Sequence, residues 1–123
     1  MLISRVELIE TALSSIATVG PGFIDQVNDF PAVAILRPSV QRTHIGKSAT
    51  IETFSFIIRG YVQSDEDSIS DSEALAREIE QVIQSLDSPL IYSSKVLSVE
   101  TDEGLLSPYG MCDIVCEVEW LNE

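Results

Sequence analysis

The sequence predicts an α+β domain, with a mainly antiparallel sheet of about four strands, two helices packed on one face, and a projecting hairpin or arm. Three observations carry this expectation. Two segments place apolar residues at helical spacing, several others alternate apolar with polar residues, and the order along the chain is helix, strands, helix, strands.

Ser4 followed by Glu7 forms a capping-box pattern, and Val6, Ile9, Leu13 and Ile16 fall on one stripe. A first helix is therefore expected over about residues 4–17, stopped by Gly20-Pro21-Gly22. Ala32 to Arg37 reads as a short strand ended by Pro38. The polar residues 39–48, with Gly46 among them, read as an extended arm or hairpin tip. The longest strand is expected from Ala49 to Val62. Phe54, Phe56 and Ile58 share one face of it, and Ile51, Thr53, Ser55 and Ile57 the other. Both faces carry apolar groups, which predicts a central strand covered on both sides, by a helix and by a neighbouring chain.

Ser70 with Glu73 is a second capping box, and Leu75, Ile79, Val82, Ile83 and Leu86 form an apolar stripe. A second helix is expected over about residues 71–86, ended by Asp87-Ser88-Pro89. Two strands close the chain. In the first, Lys95 to Thr101, Leu97, Val99 and Thr101 share a face. In the second, Met111 to Trp120, an apolar face of Cys112, Ile114, Cys116, Val118 and Trp120 opposes Asp113, Glu117 and Glu119, the pattern of a half-buried antiparallel strand.

The 123 residues suit one domain, 1–123, able to bury a core without disulfides or zinc. Apolar residues make up 45% of the chain, which argues for a globular fold over disorder. The longest unbroken apolar run, Ala32 to Leu36, is far below the roughly 20 residues of a membrane span, and no secretory signal is expected at Met1-Leu-Ile-Ser-Arg. Cys112 and Cys116 lie four apart on one strand, roughly 13 Å along it. A disulfide needs Cα atoms within about 7 Å, so the pair reads as two small buried hydrophobes in a reducing compartment.

Catalysis has no positive signal. The single histidine, His44, lies on the polar arm without a nucleophile or orienting partner, and no Gly-x-Ser-x-Gly elbow exists. The acidic run Asp65, Asp67, Asp71 and Glu73 fails as an EF-hand, because Ile69, Ser70 and Ala76 stand where a ligand, a glycine and a glutamate are needed. Carboxylates before a helix favour its macrodipole instead. No zinc, Walker or dinucleotide pattern is present, so neither enzyme activity nor cofactor is expected.

Charge is more informative. The net charge of −13 disfavours sequence-independent nucleic-acid binding. Between Phe30 and Ile51 there is no acidic residue, and Arg37, Arg42 and Lys47, with His44 neutral, give that stretch +3 against −16 elsewhere. Arg37, Arg42, His44 and Lys47 are therefore the candidate subunit-interface residues, docking on the acidic surface of an adjacent copy. An ordinary solvated loop is the competing reading of the same cluster.

In this order, several short motifs resemble the tail terminator, or tail completion, family of long-tailed bacteriophages, related to the lambda-type minor tail protein U. They are the first helix, Phe30-Pro31-Ala32-Val33-Ala34-Ile35, Phe54-Ser55-Phe56-Ile57-Ile58-Arg59-Gly60-Tyr61-Val62, and the acidic link with helix 71–86. Val99-Glu100-Thr101-Asp102-Glu103-Gly104, Ser107-Pro108-Tyr109-Gly110 and the strand ending in Glu119-Trp120 complete the set. The resemblance implies a structural virion protein at the head-proximal end of the tail, made in the host cytoplasm. It would form a homo-oligomeric, hexameric ring that caps the tail tube, stops its polymerisation and joins the tail to the head connector or neck protein. In contractile tails the sheath would be a further partner. DNA would pass through the ring without specific binding, and Asp113, Glu117 and Glu119 become candidate channel-wall residues. The alternatives are another head–tail joining or neck adaptor protein, an acidic DNA-mimic inhibitor, or a small ligand-binding or regulatory α+β domain, which would need a concave apolar pocket.

Overall fold

The computed structural model describes residues 2–20, 30–46, 49–63, 67–86, 91–102 and 109–122. Helix α1 (Leu2–Leu13) is followed by strands β1 (Thr18–Val19), β2 (Ala32–Ile45) and β3 (Ala49–Gln63). Helix α2 (Ser68–Gln84) and strands β4 (Ile91–Thr101) and β5 (Tyr109–Asn122) complete the order. One sheet results, ordered β1-β2-β3-β5-β4, with β1 parallel to β2 and every other pair antiparallel. The expected α+β class holds. The strand beyond the expected four is β1, which is two residues long and too short to show an alternating pattern.

Alternation along β3 and β5 sets the two faces. Phe54, Phe56, Ile58, Cys112, Ile114, Cys116, Val118 and Trp120 are buried against Ile9 and Leu13 of α1 and Leu75, Ile79 and Ile83 of α2. Both helices therefore cover the same face, and the alternate residues of β3 and β5 form an open face of intermediate exposure. Phe54 stacks on Phe56 with ring centroids 4.7 Å apart and tilts against Trp120 at 6.2 Å. Gly60 lets α2 approach closely, because a Cβ there would lie 2.8 Å from Leu75 Cδ2 and 2.9 Å from Cys112 Sγ.

Several boundaries depart from the sequence expectation. Helix α1 begins at Leu2, so Ser4 lies inside it and is not its N-cap. The helix stops at Leu13 rather than near residue 17. There the Ser14 and Ser15 hydroxyls donate to the carbonyls of Thr11 at 2.6 Å and Ala12 at 3.0 Å, competing with helical continuation. Helix α2 begins at Ser68, with Asp67 as its N-cap accepting from the Ser70 amide at 3.0 Å. Ser70 is therefore the third residue of the helix rather than its cap, and Asp67 and Asp71 serve the helix start, as expected of carboxylates there.

Strand β2 does not end at Pro38. The ladder with β3 shifts register between Leu36 and Ser39, and Arg37 takes a positive φ of 51°. A bulge at this point leaves the proline without a ladder hydrogen bond to donate, so the strand continues to Ile45. The expected arm is therefore a β2–β3 hairpin built into the sheet. Its residues 41–46 are exposed, beyond the cover of the helices, while β5 runs beside β3 as far as Asn122. Strand β4 starts at Ile91, earlier than expected, and a register shift between Val96 and Ser98 separates Leu97 from Val99 and Thr101. Leu97 stands 55% exposed as a result.

Candidate subunit-interface surfaces

The two residue groups singled out by charge occupy different parts of the sheet. Arg37, Arg42 and His44 all lie on β2, where each is exposed; Lys47 lies outside the described residues. They do not form one cluster of free cations. Arg42 Nε donates to Glu52 Oε1 at 3.3 Å across the β2–β3 ladder, and Arg5 of α1 reaches Glu52 Oε2 at 3.4 Å. Glu52 is thus a buried carboxylate held between two arginines. Burial alone would raise its pKa, but the hydrogen bonds from Arg42 and Arg5 outweigh burial and hold it below the ordinary 4.5. The Arg5 guanidinium also lies 4.4 Å from the centroid of the Trp120 ring. This arrangement ties α1, the hairpin and the end of β5 together.

Asp113, Glu117 and Glu119 lie on β5 on the open face, as the alternation predicts. Their charges are only partly available. Arg59 Nε and Nη2 donate to the two oxygens of Asp113 at 2.7 and 2.8 Å. This contact raises the Arg59 pKa further above its already high value. Glu119 Oε1 accepts from Ser93 at 3.0 Å and from Lys95 at 3.4 Å. Glu117 faces Lys95 in the register, yet among the described residues it makes no ion pair within 4.0 Å.

Sequence reasoning missed Arg5, Glu52 and Arg59 as organisers of these surfaces. Their pairing depends on cross-strand register, which no local pattern reports; an arginine in the apolar run of β3 was the one available signal. Cys112 and Cys116 are buried free thiols, each pushed up to about 12 by burial, so they are unreactive near neutral pH. Among the described residues no group of three or more His, Cys, Asp or Glu side chains is placed to hold a metal ion. No helix there is long and apolar enough to cross a membrane.

The shape and charge of this sheet acquire a context from known proteins. Residues 11–123 match the family described as Bacteriophage Tail Tube Terminator Protein. The chain belongs to this tail tube terminator family. It is a structural component of a virion tail. Among solved structures, a chain of the "Virion of native gene transfer agent (GTA) particle" aligns with a TM-score of 0.62 at 14% sequence identity. The alignment covers 96% of this terminator and 88% of that chain, and at such identity it shows a shared fold. No curated protein matches the chain.

Proposed function

We propose that this terminator forms a homo-oligomeric ring, a hexamer, on the head-proximal end of the tail tube. The ring stops tube polymerisation and offers its other face to the head connector or neck protein, and in contractile tails to the sheath. The chain acts as a single domain over residues 1–123 and works by shape, converting no substrate. Family membership over residues 11–123 is the observation that carries this reading. The charge pattern supports it, because exposed basic residues of β2 oppose an otherwise acidic body, and a head-to-tail contact between such surfaces repeats around a ring when the rotation closes. Opposite charge sets register and speeds encounter more than it adds affinity.

Asp113, Glu117 and Glu119 are proposed to face the channel. Their place on the sheet face away from the helices supports this. The ion pairs with Arg59 and Lys95 leave Glu117 as the main unpaired charge of the set, so the repulsion DNA meets there is weaker than three carboxylates would give. Electron microscopy of particles lacking the gene product tests the capping role. Tails of excess length, or heads left unjoined, are expected; tails of normal length joined to heads would overturn it.

A further inference from the structure

The sheet has two long edges without a strand partner among the described residues. On one side, β1 pairs only with Ala32 and Val33, leaving β2 open from Ala34 toward Ile45. On the other, β4 is the last strand. The directions of β2, β3, β5 and β4 alternate, so the two open edges run in opposite senses. Edges related in this way continue an antiparallel ladder when copies of the chain meet head to tail.

The register within one chain relates the two edges, and a copy docked without a shift along the strands brings the row of Leu36 against Ser98. Leu36 is opposite Ile57, Ile57 opposite Val115, and Val115 opposite Ser98. Arg37 therefore lies beside the row that ends at Ser98 on the far edge. Two features set Arg37 apart. Its positive φ of 51° at the bulge is a conformation that costs a non-glycine residue free energy, and bulges at sheet edges re-aim side chains. It is also exposed, and unlike Arg5, Arg42 and Arg59 it makes no ion pair among the described residues.

The far edge offers what Arg37 lacks. A groove of about 290 Å³ between α2 and β4 is lined by Glu73, Glu80 and Val99, with Arg77 as its one cation, and Glu100 borders the adjoining cleft. Val99 is 39% exposed, an apolar floor beside carboxylates. Such a surface fits a partner that brings a strand edge and a positive charge.

The geometry points to one occupant: the open edge of β2 from a second copy of this chain, with Arg37 placed beside Glu73 and Glu100, which line one cleft along the partner's β4. This rests on the ring reading above and names its contact. A like-signed acidic partner would be repelled at the same place, and a partner without a free strand edge would leave the β4 edge unpaired.

The test uses assembled particles carrying the double variant R37C/S98C. After mild oxidation and alkylation under denaturing conditions, a non-reducing gel is expected to show a ladder of covalent multiples of this chain, absent from either single variant. Absence of the ladder in particles whose ring is visible by electron microscopy would overturn this contact and leave the ring standing. Particles in which this chain forms no ring would remove both. As a second measurement, R37E is expected to lose incorporation into particles without changing the melting temperature of the isolated chain, and R37E/E100R to regain it. Incorporation of R37E at the natural level would also overturn the proposal.

Discussion

Arg59 and Asp113 stand directly opposite in the β3–β5 register and share two hydrogen bonds, at 2.7 and 2.8 Å, on the open face of the sheet. The pair joins the two central strands and removes a charge that the sequence alone suggests is free. Both side chains remain partly hydrated, at 30% and 25% exposure, so solvent screening limits what the pair contributes. A double-mutant cycle with R59A and D113A is expected to give a coupling of about 0.5–1.5 kcal/mol, read from urea unfolding. A coupling near zero would mean that the pair contributes geometry without stability.

Gly60 marks the closest approach of α2 to the sheet. Gly60→Ala places a methyl group within 3.0 Å of Leu75 Cδ2 and Cys112 Sγ, so one of them must shift. The expected loss is about 1–3 kcal/mol, and Gly60→Val should cost more. Thermal unfolding of the two variants checks the order; equal stability of Gly60→Ala and the natural chain would contradict the close contact.

Glu52 predicts an acid sensitivity. Its folded pKa lies below the ordinary 4.5, because the hydrogen bonds from Arg42 and Arg5 outweigh the cost of its burial. A carboxyl with a depressed folded pKa stabilises fully above its unfolded value, and that stabilisation is lost as pH falls through the folded value. Urea midpoints measured from pH 7 to pH 3 should fall more steeply below about pH 4.5 for the natural chain than for E52Q. Parallel curves would show that the arginine clamp is not coupled to folding.

The buried thiols act in the opposite direction. Burial raises Cys112 and Cys116 from 9.0 to about 12, so the folded state favours the protonated forms. The stability this gives is complete below pH 9.0 and is lost as pH rises toward 12. A thiol-specific reagent at pH 8 should label neither residue in the folded chain and both after unfolding. Rapid labelling of the folded protein would show that the β5 core opens locally.

Asp67 closes the start of α2 through the Ser70 amide at 3.0 Å. Asp67→Ala is expected to cost about 1 kcal/mol, whereas Ser70→Ala should cost less, because Ser70 lies inside the helix. Paired unfolding curves distinguish the true cap from the one the Ser70–Glu73 spacing suggests.

Much of this molecule is legible in the chain itself. The buried face of β5, from Cys112 to Trp120, follows from strict alternation, and the apolar stripe of α2 follows from helical spacing. Boundaries were less legible. Pro38 reads as a strand end, yet a bulge carries β2 past it, and the two-residue β1 exists only because Thr18 and Val19 meet Ala32 and Val33. Of the candidate interface residues, the place of Arg42 and His44 on the hairpin was readable; that Arg42 is engaged with Glu52 was not.

The sequence by itself determined the kinds and order of the main elements, the apolar faces of the two helices, β3 and β5, and the separation of a basic stretch from an acidic remainder. These are local properties, set by the backbone period of a helix or strand and by the residues within one segment. Only the tertiary structure decided which charges are paired, which strand edges lack a partner among the described residues, and that Leu36, next to Arg37, shares a row of the sheet with Ser98. Those follow from register between segments far apart in the chain, and a slip of one residue would send every side chain of a strand to the opposite face.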